Sequence, residues 1–259
     1  MDLKIACRKA IVCGSSRGLG RGCAEALAAE GCEVLINGID AGRLEAAADE
    51  IRAATGVTIH AVAADVTTQA GRAALLAAMP DPDILVTNAA GPPPRDFREI
   101  DNEALHAGVE KNMAAPIALI QAVIDGMIAR KWGRTVNITS SSVLTGIAAL
   151  DLSSGARAGL TAFLGGVARQ VAPDGVTINH LLPGMFGTDR LQSLDEAAAE
   201  RQGITFEEAR QQRVAAIPAG RLGDPAEFGA ACAFLCSEQA AYITGRGLLI
   251  DGGAVRTNF

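Results

Sequence analysis

Residues 10–22 read AIVCGSSRGLGRG, and this stretch decides the fold. Ala10-Ile11-Val12-Cys13 is a short apolar run suited to a buried parallel strand. Gly14, Gly18 and Gly20 follow, spaced Gly-x3-Gly-x-Gly. From Leu19 to Glu30 the sequence reads as a helix: Leu19, Cys23, Ala26 and Leu27 share one face, and no proline intervenes. A strand that turns through glycines into a helix makes a seat for a phosphate. Glycine permits positive φ and lets the backbone come close to a pyrophosphate. The helix start offers unpaired N–H groups at the positive end of the dipole. A glycine-rich turn can also be a plain connection, so the rest of the chain has to decide.

Outward from this stretch, strand and helix signals alternate to the end. Strands are expected at 33–37, 58–63, 83–87, 133–139, 177–182 and 247–250. Asp40 caps a helix over 41–54 that Gly56 closes. Further helices are expected over 68–79, 101–130 with an interruption at Pro116, 152–172, and 225–236 with proline in its first turn. Residues 195–213 read as one charged helix inserted before the last core elements. The loop Asn88-Ala89-Ala90-Gly91-Pro92-Pro93-Pro94 is stiff and cannot be helix. About seven strands alternating with helices predict an α/β fold: one doubly wound Rossmann domain over 1–259, mostly parallel, with helices on both faces. In such sheets ligands sit at the carboxyl ends of the strands, near the switch in strand order.

Composition agrees. Of 259 residues, 49% are hydrophobic and 20% charged, which excludes a disordered chain. The net charge is −6, with no basic run, so neither nucleic acid nor an anionic membrane is expected as a partner. No uninterrupted apolar run approaches ~18 residues, so no membrane span is expected, and 1–10 lack a signal peptide's apolar core. Cys7, Cys13, Cys23, Cys32, Cys232 and Cys236 form no Cys-x-x-Cys, and His60, His106 and His180 are scattered, so no metal site is expected. Cys232 and Cys236 read as a small buried helix face, and the compartment as a reducing cytoplasm.

At this point the chain resembles a short-chain dehydrogenase/reductase along essentially its whole length, near the 3-oxoacyl-acyl-carrier-protein reductase members. Gly14-Ser15-Ser16-Arg17-Gly18-Leu19-Gly20 resembles the cofactor turn, with Cys13 where threonine is usual. Asp65-Val66 resembles the pair beside the adenine ring. Thr87-Asn88-Ala89-Ala90-Gly91 resembles the family's Asn-Asn-Ala-Gly segment, altered at Thr87 and Ala90. Asn112 and Ser140 stand where the family has its helix asparagine and catalytic serine. Pro183-Gly184, with Thr188 beyond, resembles the segment that holds the nicotinamide, and Tyr242-Ile243-Thr244-Gly245 and Asp251-Gly252-Gly253 the closing motifs. The resemblance implies an NAD(P)(H) site made by Gly14, Ser16, Arg17, Gly18, Leu19, Gly20, Asp65, Val66, Asn88, Ala89, Arg157, Pro183, Gly184 and Thr188. The catalytic set that it implies is Asn112, Ser140, Ser153 and Arg157.

One departure is large. The family's Tyr-x3-Lys falls thirteen residues after Ser140, where this chain has Ser153-Ser154-Gly155-Ala156-Arg157. The flanking Gly133-Arg134 and Ala158-Gly159-Leu160 fix the register. The only tyrosine, Tyr242, lies in the closing motif and reads as packing. In the family the tyrosine hydroxyl gives a proton to the carbonyl oxygen as hydride arrives. A phenol near pKa ~10 suits that task; a serine hydroxyl is a weaker acid and ends roughly 4 Å short. Losing a general acid costs about 10²–10⁴ in rate, not the whole acceleration. A water relayed by Ser153, or His180, is the substitute donor to weigh, while Arg157 keeps the positive charge. Pro116 lacks the N–H that would bond the carbonyl of Asn112, leaving that carbonyl for a relay water, or merely marking a kink that fits packing.

The usual acid at the end of the second strand is replaced by Gly38, and Arg17 can meet a 2′-phosphate bidentately, so NADP(H) is expected over NAD(H). Residues 187–217 have the position of a substrate lid, and Pro92-Pro93-Pro94-Arg95 of a pocket wall. The two longest helices carry more apolar surface than one sheet face needs, so a homodimer or homotetramer is expected. The leading expectation is a reductase or dehydrogenase of a small carbonyl or alcohol with an atypical proton donor. A cofactor-binding scaffold or sensor without turnover, and a non-redox enzyme reusing the pocket, are the alternatives.

Overall fold

The computed structural model describes residues 1–256; the last three residues of the predicted span 1–259 lie outside them. Among the described residues, seven strands form one sheet: β1 (Lys9–Val12), β2 (Glu33–Gly38), β3 (Ile59–Ala63), β4 (Ile84–Thr87), β5 (Gly133–Ile138), β6 (Val176–Pro183) and β7 (Gly247–Ile250). Their order is β3-β2-β1-β4-β5-β6-β7, and every pairing is parallel. The helices are α1 (Gly18–Ala29), α2 (Ala41–Thr55), α3 (Gln69–Ala78), α4 (Asn102–Val109), α5 (Ala115–Ala129), α6 (Asp151–Val171), α7 (Asp189–Gln202), α8 (Phe206–Ala215) and α9 (Pro225–Leu235).

The strands read as unbroken apolar runs because both faces are covered. Val12, Val34, Ile36, Ile84 and Val86 pack under α1, α2 and α9 with Leu27, Leu44 and Phe228. Ile11, Leu35, Leu85 and Ile178 pack under α3, α5 and α6 with Leu75, Leu119, Ile120 and Leu164. Each fully buried leucine or isoleucine contributes about 1.5–3 kcal/mol. The strand order reverses between β1 and β4, whose registers place Val12 opposite both Ile36 and Val86. The carboxyl ends of β1, β4, β5 and β6 therefore crowd one edge of the sheet. At the opposite edge Trp132 is clamped: the Arg8 and Arg134 guanidiniums lie 3.8 and 4.4 Å from its ring centroid, and its Nε1 donates to Glu238 at 2.6 Å.

Three expectations are corrected. The helical run 101–130 is interrupted not at Pro116 but at a π-helical turn, Glu110–Ala114, where the Ala115 N–H donates to the Glu110 carbonyl five residues back. Pro116 then sits in the first turn of α5, where its missing N–H is harmless. The predicted single helix 195–213 is two helices: Gly203, at φ +67°, ends α7, and Thr205 opens α8 with a capping box to Glu208. Tyr242 does not pack; its side chain is fully exposed. Its loop is anchored instead by Thr244 Oγ1, which accepts from the Ile178 N–H, and by the Ile243 carbonyl, which accepts from Asn179 Nδ2. By length and composition alone, Asn102–Ala129 would be long and apolar enough to cross a membrane. Here α5 lies along the sheet and buries Leu119, Ile120, Val123 and Met127.

Candidate active site

The glycine turn after β1 is closed so tightly that side chains would not fit. Gly14 and Gly18 have φ of +57° and +59°. A Cβ on Gly20 would stand 2.2 Å from the Gly14 carbonyl oxygen. Asn88, just past β4, holds the turn from the other side, its Nδ2 donating to that same oxygen at 3.0 Å. Ser15 ties the turn to its strands: its hydroxyl donates to the Val12 carbonyl at 2.6 Å and accepts from the Asn37 N–H at 2.9 Å. Arg17 is the N-cap of α1 but makes no side-chain capping bond. The first N–H groups of α1 thus have no side-chain cap and face the turn. Close backbone and open donors fit a dinucleotide diphosphate.

At the end of β2, Gly38 leaves room for Ser16, whose Oγ lies 3.2 Å from where a Cβ would be. Asp40 caps α2 by accepting from the Arg43 N–H at 3.0 Å, and that bond holds its carboxyl below the usual range. Asp65 accepts from the Thr67 N–H and hydroxyl at 2.9 and 2.8 Å, which likewise keeps it low, and the Val66 carbonyl accepts from Arg72. Thr188 caps α7 and approaches the glycine turn: its Cγ2 would be 3.5 Å from a Cβ on Gly18. Beside it, Asp189 accepts from Arg17 at 3.2 Å, so α7 is clasped to the turn by an exposed ion pair. Gly184, after Pro183, donates its N–H to the Ile250 carbonyl at 2.8 Å. Leu19 is half-buried behind the turn, and Cys13 is buried, its thiol pushed up to about 12 by that burial.

Ser153 and Arg157 meet on the inner face of α6, both 8% exposed. The spacing of four residues stacks them, and Arg157 Nε donates to Ser153 Oγ at 3.1 Å. Arg157 Nη1 reaches the Ile138 and Thr139 carbonyls at 2.8 and 2.6 Å, and Nη2 the Ala89 carbonyl at 3.0 Å. The guanidinium therefore laces α6 to the ends of β4 and β5 and meets no carboxylate among the described residues. Burial, and then the charge of Arg190, lower its pKa to about 10. Ser140 opens a 3₁₀ turn, its Oγ accepting from the Ser142 N–H at 3.1 Å. It makes no hydrogen bond to Ser153 or Arg157. Asn112 is buried in the π turn; its Nδ2 donates to the Gly108 carbonyl at 3.3 Å and its Oδ1 has no partner among the described residues. His180 is buried on β6, and burial pushes its pKa down to about 4.

Several neighbours escaped the sequence reading. Arg190, within the expected lid 187–217, leans over Gly91. Its Nη2 and Ser153 Oγ would each lie 3.2 Å from a Cβ on Gly91. Thr87 donates to Asn137 Oδ1 at 2.6 Å under the site. Lys111 helps to line a pocket of about 280 Å³ that ends at Ser153. Pro92, Pro93 and Arg95 form its wall, as expected, with Ile100, Leu150 and Leu152 beyond. Lys111 borders the asparagine and Arg190 follows Thr188, so adjacency to named residues was the available signal.

Comparison with known proteins agrees with this fold. The sequence profile of a family described as enoyl-(acyl carrier protein) reductase matches residues 14–255. The chain belongs to that family, within the short-chain dehydrogenases/reductases. It is 36% identical over 248 residues to the 3-oxoacyl-[acyl-carrier-protein] reductase of Vibrio cholerae, covering 94% of this chain and 96% of that one. Its structure is similar to that of L-sorbose reductase from Gluconobacter frateurii complexed with NADPH and L-sorbose: TM-score 0.94, 27% identity, 99% and 100% of the two chains. It is also similar to a 3-oxoacyl (acyl-carrier-protein) reductase from Agrobacterium tumefaciens with NADP bound: TM-score 0.86, 30% identity, 96% and 95%.

Proposed function

We propose that the protein is an NADP(H)-dependent oxidoreductase of a small carbonyl or alcohol, with Ser153 and Arg157 in place of the usual proton donor pair. The bond between Arg157 Nε and Ser153 Oγ carries this reading. Because Ser153 accepts from a cation, its own proton stays free to donate, and the positive charge favours an alkoxide next to it. Ser140 likewise accepts, here from a backbone N–H, which leaves its own proton free to donate. Two hydroxyls with free protons can polarise a carbonyl, and a water on Ser153 spans the missing phenol length.

NADP(H) supplies hydride when bound. Gly14, Gly18, Gly20 and the start of α1 would hold its diphosphate; Arg17, beside the acid-free end of β2, its 2′-phosphate. Asp65, Val66, Asn88, Ala89, Pro183, Gly184 and Thr188 would line the remaining length. The similarity to structures with NADPH and NADP bound supports this choice. Arg157 has spent most of its donors on carbonyls, so at most one Nη2 proton remains for a ribose hydroxyl. The pair α7–α8 would serve as the substrate lid.

Calorimetric titration with NADPH and NADH is the first test. NADPH is expected to bind at least tenfold more tightly, and Arg17→Glu to remove most of that preference. With NADPH bound, Ser140→Ala should lower turnover at least tenfold while sparing cofactor affinity. Selective NADPH binding without turnover of any carbonyl would instead favour the scaffold reading, and binding of neither cofactor would sink both.

A further inference from the structure

The pocket beside Ser153 has a charge that the proposed hydride chemistry leaves unanswered. Its lining is apolar over Pro92, Pro93, Ile100, Leu150 and Leu152, and its two charged side chains are Arg95 and Lys111; no carboxylate lines it. Next to Ser153, just outside that lining, stand Arg157 and Arg190, the former bonded to Ser153 and the latter held only by long contacts of 3.4 and 3.5 Å to the Gly91 and Pro92 carbonyls. Several arginines of the chain close on acids, as Arg17 does on Asp189 and Arg98 on Asp96. Among the described residues, none of Arg95, Lys111, Arg157 and Arg190 lies within ion-pair distance of a carboxylate. Two guanidiniums so near each other, one of them buried, repel without a counter-charge. Such an arrangement is unfavourable in the free protein and is relieved by an anionic ligand. The cofactor's phosphates do not answer Arg95 and Lys111, because no residue of the glycine turn lines this pocket.

We propose that the substrate is an oxo acid: a small apolar carbonyl compound whose own carboxylate is held by Arg190, with Arg95 and Lys111 adding positive field. The pocket's about 280 Å³ suits a molecule of metabolite size. Arginine's planar fork matches a carboxylate bidentately, whereas an ester or amide gains nothing from it. With the carboxylate anchored near Arg190, the carbonyl falls toward Ser153. This inference rests on the reductase reading for its chemistry but not for its binding term.

The two separate in one experiment. Binding of 2-oxohexanoate and 5-oxohexanoate, and of their methyl esters, is measured by calorimetry on the NADP⁺-loaded protein, and kcat/KM for the same four with NADPH. At least one acid is expected to bind tenfold or more tightly than its ester and to show the same ratio in kcat/KM. Arg190→Gln should bring both ratios close to one; NADPH affinity in the variant checks that it is folded. Esters that bind as well as acids, or no binding of either acid, overturn the oxo-acid assignment and leave the reductase reading standing. Tight acid binding without turnover supports the assignment and overturns the reductase reading. Displacement of the acid by butyl phosphate at a tenfold lower concentration overturns the carboxylate in favour of a phosphate.

Discussion

His180 shows how one buried side chain sets a pH limit. It is 1% exposed, neither ring nitrogen has a partner among the described residues, and burial lowers its pKa to about 4. In the unfolded chain it titrates near pKa ~6.5. As pH falls from 6.5 toward 4, the unfolded state takes up a proton that the folded state refuses, so stability declines over that window. Between pH 7 and 5 this amounts to about 2 kcal/mol. His180→Leu should flatten that part of the profile in denaturant titrations at the two pH values; an unchanged slope would place the acid sensitivity elsewhere. At this scale the sequence was informative about identity and weak about environment. Ser153 and Arg157 were singled out by the resemblance, at the place of the family's Tyr-x3-Lys, and four residues on a helix bring two side chains together. That the guanidinium turns inward onto Ala89, Ile138 and Thr139 depends on where two strands end beside α6, and no local pattern carries that.

Among elements, the contact between α1 and α9 has the least slack. A Cβ on Gly229 would lie 2.1 Å from the Gly22 carbonyl oxygen, and one on Gly22 would lie 2.3 Å from that of Pro225. Backbone blocks both positions, so the helices must part to admit a methyl. Gly229→Ala should cost roughly 1–3 kcal/mol in unfolding free energy. Because α1 begins at the glycine turn, NADPH affinity should weaken in the same variant. Lost stability with unaltered affinity would mean that the turn is insulated from the helix behind it. The helices themselves were legible wherever a cap or proline marked them, as at Asp40, Gly56 and Pro225. The π turn was missed because Pro116 drew attention, although a proline in a first turn disturbs nothing. The α7–α8 break was written as Gly203-Ile204-Thr205 but outweighed by the run of charges around it.

For the whole molecule, the parallel sheet with helices on both faces followed from alternation, while its strand order came from the structure and assembly is a matter of leftover surface. Leu105 and Val109 on α4 and Phe163 on α6 stay 45%, 36% and 47% exposed, and α4 packs against α6. We propose that this face pairs with its copy across a two-fold axis. Phe163→Asp should then reduce the sedimenting species by half, and a wild-type protein that sediments as one chain would refute the pairing. Trp132 adds a practical consequence. It is the chain's only tryptophan, gripped between two guanidiniums at the amino end of β5. A strand of six residues, about 20 Å, separates it from the carboxyl-end site. The wavelength of its fluorescence therefore reports whether the foot of the sheet is intact. This gives an optical signal for unfolding that can be read while ligands come and go at the other end.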